Sequence, residues 1–259
     1  MKTSLFTFRS LSLALMVLLF TLTVRAQTRQ TRQVGAFSGI QINGALTATV
    51  RSYGFKQLIH RAHINGALTV TVRQGSETLV VVETDEDLQD KIITEVEGGV
   101  LKIHRDKTFN WKNFNNKKVK IWIVCPELTS LEVHGASEVK GESAFIANEF
   151  KIAVSGASNV TLSLSTKELR ANASGASSIR LTGRADKQQI DLSGASSFQG
   201  YDLESKHTEV EASGASSVKV QVSEELEAQV SGASGLRYKG SPRVRNVQSS
   251  GASSIKKAE

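Results

Sequence analysis

The chain has 259 residues, a formal net charge of +7, one cysteine and two prolines. Its 32 lysines and arginines are interspersed with 25 aspartates and glutamates, which excludes the continuous basic surface that follows a nucleic-acid backbone. The single Cys125 excludes an intrachain disulfide. Because Cys125 follows Ile121 and Ile123 in an apolar run, we predict a buried, unreactive thiol.

Residues 1–26 are typical of a secretory signal. Lys2 and Arg9 give it a basic start, and a short apolar stretch runs from Leu11 to Leu22. Val24-Arg25-Ala26 then provides a small-residue cleavage motif. The apolar stretch is too short to cross a bilayer comfortably. We therefore predict an exported protein of the periplasm or outer surface of a Gram-negative cell, with no membrane span after cleavage.

Residues 27–36 are mostly polar and are predicted to be a flexible leader. Residues 37–126 form an irregular N-terminal β portion, in which alternating apolar residues and intervening turn residues predict short strands. The predicted strands are 39–42, 46–51, 68–73, 79–83, 91–97, 100–104 and 119–124. Residues 84–90 are an acidic cluster and are predicted to form a short helical turn.

A tandem copy interrupts this portion. The segment 42–50, INGALTATV, recurs 22 residues later as 64–72, INGALTVTV. This offset is close to one coil of the repeat that occupies the rest of the chain. The copy therefore either adds a coil or is looped out of one, and the sequence leaves both alternatives open.

An asparagine-rich loop with three aromatic residues follows at 109–116, FNWKNFNN. Exposed rings beside amide groups suit contact with sugars or proteins, because the ring is apolar while the amides donate and accept hydrogen bonds. Phe109, Trp111 and Phe114 are therefore the predicted partner-binding residues. The alternative is that these rings fold back and cover one end of the fold.

Pro126 marks a junction, since proline cannot donate to a β-ladder and lies at strand ends. Residues 127–259 then carry a repeat in which Gly-Ala-Ser recurs at intervals of 18–21 residues. Apolar residues alternate on both sides of each glycine, which predicts strand, corner, strand. A period of this length is typical of solenoids, whose units bury their apolar faces only against one another. The seven glycines are Gly135, Gly156, Gly175, Gly194, Gly214, Gly232 and Gly251.

We predict an all-β fold: a parallel β-helix with coils of about 19 residues, each made of two short strands, preceded by the irregular N-terminal portion. The Gly-Ala-Ser corners should stack in one column, with glycine supplying a positive φ and alanine placing its methyl group inside the corner. The serines on both sides of the corner, such as Ser193 and Ser196, should form outward-facing hydroxyl rows.

These features resemble the head GIN domain family, a group of exported bacterial proteins described as auto-transporter adhesins. The resemblance covers about residues 35–255 and rests on 37–44 (FSGIQING), the Pro126-Glu127-Leu128 junction and the Ser-Gly-Ala-Ser corners. It implies a right-handed parallel β-helix in two portions, no assigned catalytic residues and a role in cell adhesion. The tandem copy departs from the family pattern.

No cofactor, metal or catalytic site is predicted. The acidic residues of the repeat are scattered, and the five histidines have no metal-ligand spacing. No serine lies in a Gly-x-Ser-x-Gly motif. The sequence therefore favours a non-enzymatic cell-envelope protein that binds an extracellular or envelope protein or glycan. A polysaccharide-active enzyme, marked by three carboxylates converging beside a lysine or arginine, and a self-associating scaffold are the alternatives.

Overall fold

The computed structural model describes residues 27–44, 68–111 and 117–258, so the predicted signal at 1–26 and Phe114 lie outside the described residues. Sixteen strands of the described chain join into one sheet that winds into a solenoid. The N-terminal strands are β1 (Gln27–Arg32), β2 (Gly39–Gly44), β3 (Leu68–Gln74), β4 (Leu79–Asp85), β5 (Ile92–Glu97), β6 (Val100–Arg105) and β7 (Val119–Cys125).

The strands of the repeat follow in parallel register. They are β8 (Ser130–Gly135), β9 (Ser137–Val154), β10 (Asn159–Ala173), β11 (Ser178–Leu192), β12 (Ser197–Ala212), β13 (Ser217–Val230), β14 (Gly235–Lys239), β15 (Arg243–Ser249) and β16 (Ser254–Lys257). Strands β9 to β13 each bend through a whole coil between two corners, where the sequence predicted two short strands. The ladder therefore continues through the second bend, and only the glycine corners interrupt it.

The core consists of the apolar rows that alternation predicted. Register pairs such as Val160 with Ile179 and Ala171 with Ile190 stack each position on its equivalent in the next coil. The rows two and four residues before each glycine, and four residues after it, are buried as far as Leu236. In the last coil Val247 is 39% exposed. The predicted β-solenoid is therefore confirmed.

The corners stack in a column, as predicted. Their glycines have positive φ angles, +73° at Gly175 and +71° at Gly194. The Ala176 N–H donates to the Gly156 carbonyl at 2.8 Å, and the Ala195 N–H donates to the Gly175 carbonyl at 2.8 Å. The backbone hydrogen bonds between coils thus continue through the corners.

The predicted side-chain arrangement of the corner is wrong. The alanines expected inside are exposed at Ala176 and Ala195. The serines that follow them, expected outside, are buried at Ser177 and Ser196. The Ser196 hydroxyl donates to the Ser193 carbonyl at 2.9 Å. Because this bond satisfies the hydroxyl within its own corner, serine fills the inside without leaving an unpaired polar group.

The predicted leader is a strand rather than a flexible segment. Residues 27–32 form β1, which pairs antiparallel with β4 from Gln27 opposite Asp85 to Arg32 opposite Val80. The Arg29 guanidinium hydrogen-bonds to Glu83, and the Arg32 guanidinium donates to the Gln89 carbonyl. A polar sequence forms a strand here because a partner edge supplies its backbone hydrogen bonds.

The predicted strand at 46–51 lies outside the described residues, and three further N-terminal predictions agree with the structure. Residues Glu86–Lys91 form a 3₁₀ helix within the acidic segment that predicted a helical turn. Strand β7 ends at Cys125, immediately before Pro126. Cys125 is buried, and burial raises the pKa of its thiol to about 11. The thiol is therefore protonated and unreactive at neutral pH, as predicted.

The register around the tandem copy distinguishes its two alternatives. Residues 45–67 lie outside the described residues, but Gly44 of β2 pairs with Gly135, and Leu68 of β3 pairs with Ser137. Only Ala136 separates those two partners in the next coil. The segment 45–67 is longer than this single residue by 22 residues, which is the length of the copy. Strands β2 and β3 therefore belong to one coil of the described chain, which favours the looped-out alternative.

Candidate functional site

A groove of about 680 Å³ lies beside the corner column of the described chain. It runs across the ends of β9 to β13 and the end of β15, on the outer face of the sheet. We call it the serine groove. Its lining residues are His134, Ala153, Val154, Ser155, Asn172, Ala173, Ser174, Asp191, Leu192, Ser193, Glu211, Ala212, Ser213, Gln229, Val230, Ser231, Gln248, Ser249 and Ser250.

Two rows of outward-facing side chains form the polar surface of the serine groove. The first row is one residue before each glycine from Gly156 onward: Ser155, Ser174, Ser193, Ser213, Ser231 and Ser250. The second is three residues before the same glycines: Ala153, Asn172, Asp191, Glu211, Gln229 and Gln248. Both rows arise because side chains of a strand alternate between its faces. The apolar lining residues between them point into the core.

His134 lies at one end of the serine groove, between Ser155 and Glu132. The His134 Nδ1 lies 2.7 Å from the Ser155 hydroxyl oxygen. The His134 Nε2 lies 3.7 Å from a Glu132 carboxylate oxygen, which accepts a 3.0 Å bond from the Gln41 amide. These are the residue types of a hydrolase triad. However, the histidine–carboxylate distance exceeds a hydrogen bond, and both side chains are 39–50% exposed to water.

The centre of the serine groove is acidic. Asp191 of β11 and Glu211 of β12 are register partners, and in the row beside them Gln189 pairs with Glu209. Burial raises the pKa of Asp191, and the neighbouring Glu211 and Glu209 carboxylates raise it further. No ion pair among the described residues involves these three acids. Of the three, Asp191 and Glu211 line the groove, so their negative charges are available to whatever occupies it.

The groove does not have the arrangement that would favour an enzyme. A polysaccharide-active enzyme was expected to have three carboxylates converging beside a lysine or arginine. The groove brings together two carboxylates, Asp191 and Glu211. Within residues 27–44, 68–111 and 117–258, no group of three His, Cys, Asp or Glu side chains could hold a metal ion. The arrangement provides hydrogen-bond acceptors and donors in rows, which suits binding.

Two of the three predicted partner-binding residues are described. The Phe109 and Trp111 rings meet edge to face, with centroids 5.1 Å apart and planes at 79°. The Trp111 indole N–H donates to the Asp106 carbonyl at 2.8 Å, and its ring packs against the core. The Arg105 guanidinium lies 4.6 Å from the centroid of the Trp111 ring. Trp111 therefore covers the side of a coil.

The start of this loop is ordered around Asp106. Its carboxylate accepts hydrogen bonds from the Thr108 hydroxyl at 2.7 Å and the Thr108 N–H at 2.8 Å. These bonds, the hydroxyl first, lower the pKa of Asp106, with a further contribution from Lys91. The Lys91 ammonium lies 5.3 Å from the centroid of the Phe109 ring. Both described rings are thus engaged by their own chain, which favours the covering role.

Register places this loop on the corner edge of the solenoid. His104 of β6 pairs with Asn43 of β2, and Asn43 pairs with His134 of β8. On the far side, Val119 pairs with Leu68. The described residues 106–111 therefore leave β6 at the position where the later coils have a Gly-Ala-Ser corner.

Replacing Trp111 by alanine distinguishes the two roles of the loop. We expect Trp111→Ala to lower the free energy of unfolding by roughly 1–3 kcal/mol, because a half-buried ring, a hydrogen bond and a cation–π contact are lost. Thermal unfolding followed by circular dichroism measures the change. If the ring only covers the coil, partner binding corrected for the folded fraction should be retained. Unchanged unfolding with binding lost would show that Trp111 contacts the partner.

Sequence reasoning identified the serine row but did not recognise it as part of a site. The second row was hidden because Asn172, Asp191, Glu211 and Gln229 are chemically different residues about 19 positions apart. A signal was nevertheless available. Reading the residue three places before every glycine gives a column that is polar from Asn172 onward.

No helix of the described chain is long and apolar enough to cross a bilayer. A family model described as "Putative auto-transporter adhesin, head GIN domain" matches residues 60–242. No curated protein matches the chain.

Solved structures share the fold. A "putative adhesin" from Bacteroides fragilis is 19% identical with a TM-score of 0.76, and the match covers 90% of this chain and 98% of that one. A "Putative lipid binding protein" from Parabacteroides distasonis is 21% identical with a TM-score of 0.66, covering 90% and 97%. A "putative adhesin" from Parabacteroides merdae is 15% identical with a TM-score of 0.65, covering 90% and 97%.

Proposed function

Since this chain belongs to the head GIN domain family, we propose that it is a non-enzymatic, adhesin-like binding protein. It is exported by the signal at 1–26 and acts in the periplasm or on the outer cell surface. Its partner is an envelope or extracellular protein or glycan. The serine groove holds that partner.

One observation carries this proposal: on one face of the solenoid, the outer serine recurs in six successive coils and a second polar residue accompanies it in five of them. The outer serines do not fill the core, which is complete without them. The inner serines stabilise the corners, as the bond from Ser196 to the Ser193 carbonyl illustrates. A solenoid presents such rows as an extended surface, and extended surfaces of this kind are the usual binding faces of repeat proteins.

The described rings of the aromatic loop can form a second, smaller contact with the partner only if their contacts with the rest of the chain are broken. Phe109 and Trp111 contact Lys91, Arg105 and Asp106 in the structure. Contact of Phe109, Trp111 and Phe114 with the partner stays a prediction. Phe114 lies outside the described residues.

Binding to a printed array tests the proposal. The array carries bacterial and host glycans together with extracellular-matrix proteins, and the purified, fluorescently labelled protein is titrated over it. We expect saturable binding to at least one probe with a Kd in the micromolar range or tighter, about −8 kcal/mol. Absence of saturable binding to every glycan and protein probe, for a protein shown to be folded by circular dichroism, would contradict a binding function.

A further inference from the structure

The serine groove offers hydrogen-bonding side chains but no apolar anchor. Its outward-facing residues are serines, amides and acids, together with Ala153 and, at one end, His134. The backbone groups of the strands beneath are used in the parallel ladders, so no free edge is available for an added strand. Protein interfaces draw most of their energy from buried aromatic or apolar anchors. A polyhydroxylated chain needs none of these and suits the groove better than a peptide.

The dimensions of the groove favour a linear chain. Six serines, from Ser155 to Ser250, lie on successive coils, and five intervals at the interstrand spacing of about 4.8 Å make roughly 24 Å. The two polar rows run parallel along this length. A ligand lying along the solenoid axis meets the same pair of positions at each coil, so successive units of a repeating polymer meet similar groups.

The charge of the groove selects among such chains. Asp191 and Glu211 face each other across adjacent strands at its centre, and Glu209 lies in the row beside them. Burial and mutual repulsion of these carboxylates raise the pKa of Asp191. A bound anion would add to this electrostatic repulsion, whereas a bound cation would reduce it. Glycans bearing carboxylate, sulfate or phosphate groups are therefore disfavoured, and amino groups are favoured.

We propose that the serine groove binds a linear glycan carrying free amino groups, with Asp191 and Glu211 accepting hydrogen bonds from its ammonium groups. The serine row and the amides of Asn172 and Gln229 bond to its hydroxyl groups. Charge-assisted bonds of this type are stronger than neutral ones, and Asp191 is partly shielded from water. This inference rests on the proposed function and specifies the ligand class for its groove.

Calorimetric titration of the full-length mature protein with a fully deacetylated glucosamine hexamer tests the inference. The matched ligand is the N-acetylated hexamer, which keeps the hydroxyl groups and lacks the charge. The double variant Asp191→Asn/Glu211→Gln removes the groove carboxylates. Its matched control is Glu149→Gln/Glu168→Gln, which removes another pair of register partners outside the groove.

We expect the glucosamine hexamer to bind the wild type and the control equally, and the groove variant at least ~10-fold more weakly. The acetylated hexamer should bind the wild type ~10-fold more weakly than the free amine. Equal binding by the groove variant, or by the acetylated ligand, would overturn the inference. Hexalysine binding as tightly as the glucosamine hexamer, with the same dependence on Asp191 and Glu211, would also overturn it in favour of a basic peptide.

The experiment separates this inference from the proposed function. If the glucosamine hexamer does not bind while the array shows saturable binding to another probe, only the ligand class is wrong. If neither shows binding, the proposed function fails as well. Thermal unfolding of the groove variant should match or exceed that of the wild type, because repulsion between the two carboxylates is removed.

Discussion

Gly194→Ala is expected to lower the free energy of unfolding by roughly 2–4 kcal/mol. Gly194 has a φ of +71°, and a Cβ built there would lie 2.8 Å from the Gly175 carbonyl oxygen of the preceding corner. The substitution therefore adds a backbone clash to the cost of a left-handed conformation. The corners must separate, and the hydrogen bond from Ala195 to Gly175 weakens. Thermal unfolding should shift down by on the order of 5–15 °C.

Gly98 supplies the matched control. It also has a positive φ, +59°, but a Cβ there would meet no atom within 4 Å. Gly98→Ala should therefore cost only the left-handed conformation, roughly 1–2 kcal/mol. The difference between the two variants measures how closely the corners stack. Equal losses of stability would mean that Gly194 does not lie against the preceding corner.

Ser196→Val is expected to lower the free energy of unfolding by roughly 1–3 kcal/mol, while Ser193→Val in the same corner changes it by less than about 0.5 kcal/mol. The Ser196 hydroxyl is buried and donates to the Ser193 carbonyl, with the Ala173 carbonyl 3.3 Å away. Valine removes the donor and leaves these carbonyls without it. The Ser193 side chain is exposed to water.

Chemical denaturation of the two serine variants provides the comparison, since both carry the same substitution three residues apart. The slope of the unfolding free energy against denaturant should stay constant, so that a midpoint shift reports stability. A larger loss for Ser193→Val would mean that the inner and outer serines of the corner are exchanged relative to the structure.

The sequence predicted the solenoid because alternation and the glycine period report local geometry directly. Rows such as Val154, Ala173 and Leu192 are apolar throughout and have one spacing, so their burial could be anticipated. The inner serine could not, because polarity suggests exposure and says nothing of a bond such as that from Ser196 to Ser193. Polarity likewise suggested a free leader at 27–36.

The candidate site was harder to predict than the core for a physical reason. The strand at 27–32 and the serine groove both depend on pairing between distant residues, such as Gln27 with Asp85 and Asp191 with Glu211. Each acid looks like an ordinary solvated charge in its own strand. Only the stacking of coils places the carboxylates side by side, because that stacking sets which residues 19 or 20 positions apart become neighbours.

The central claim is that the serine groove holds the partner, and blocking it with bulky residues tests this most directly. Ser193→Trp/Ser213→Trp places two indoles in the groove at exposed positions. Asn159→Trp/Ser217→Trp places them at exposed positions outside it. The measurement is the saturable binding isotherm on the array. We predict at least ~10-fold weaker binding for the groove variant alone, with thermal unfolding unchanged. An isotherm identical to that of the wild type would contradict the account.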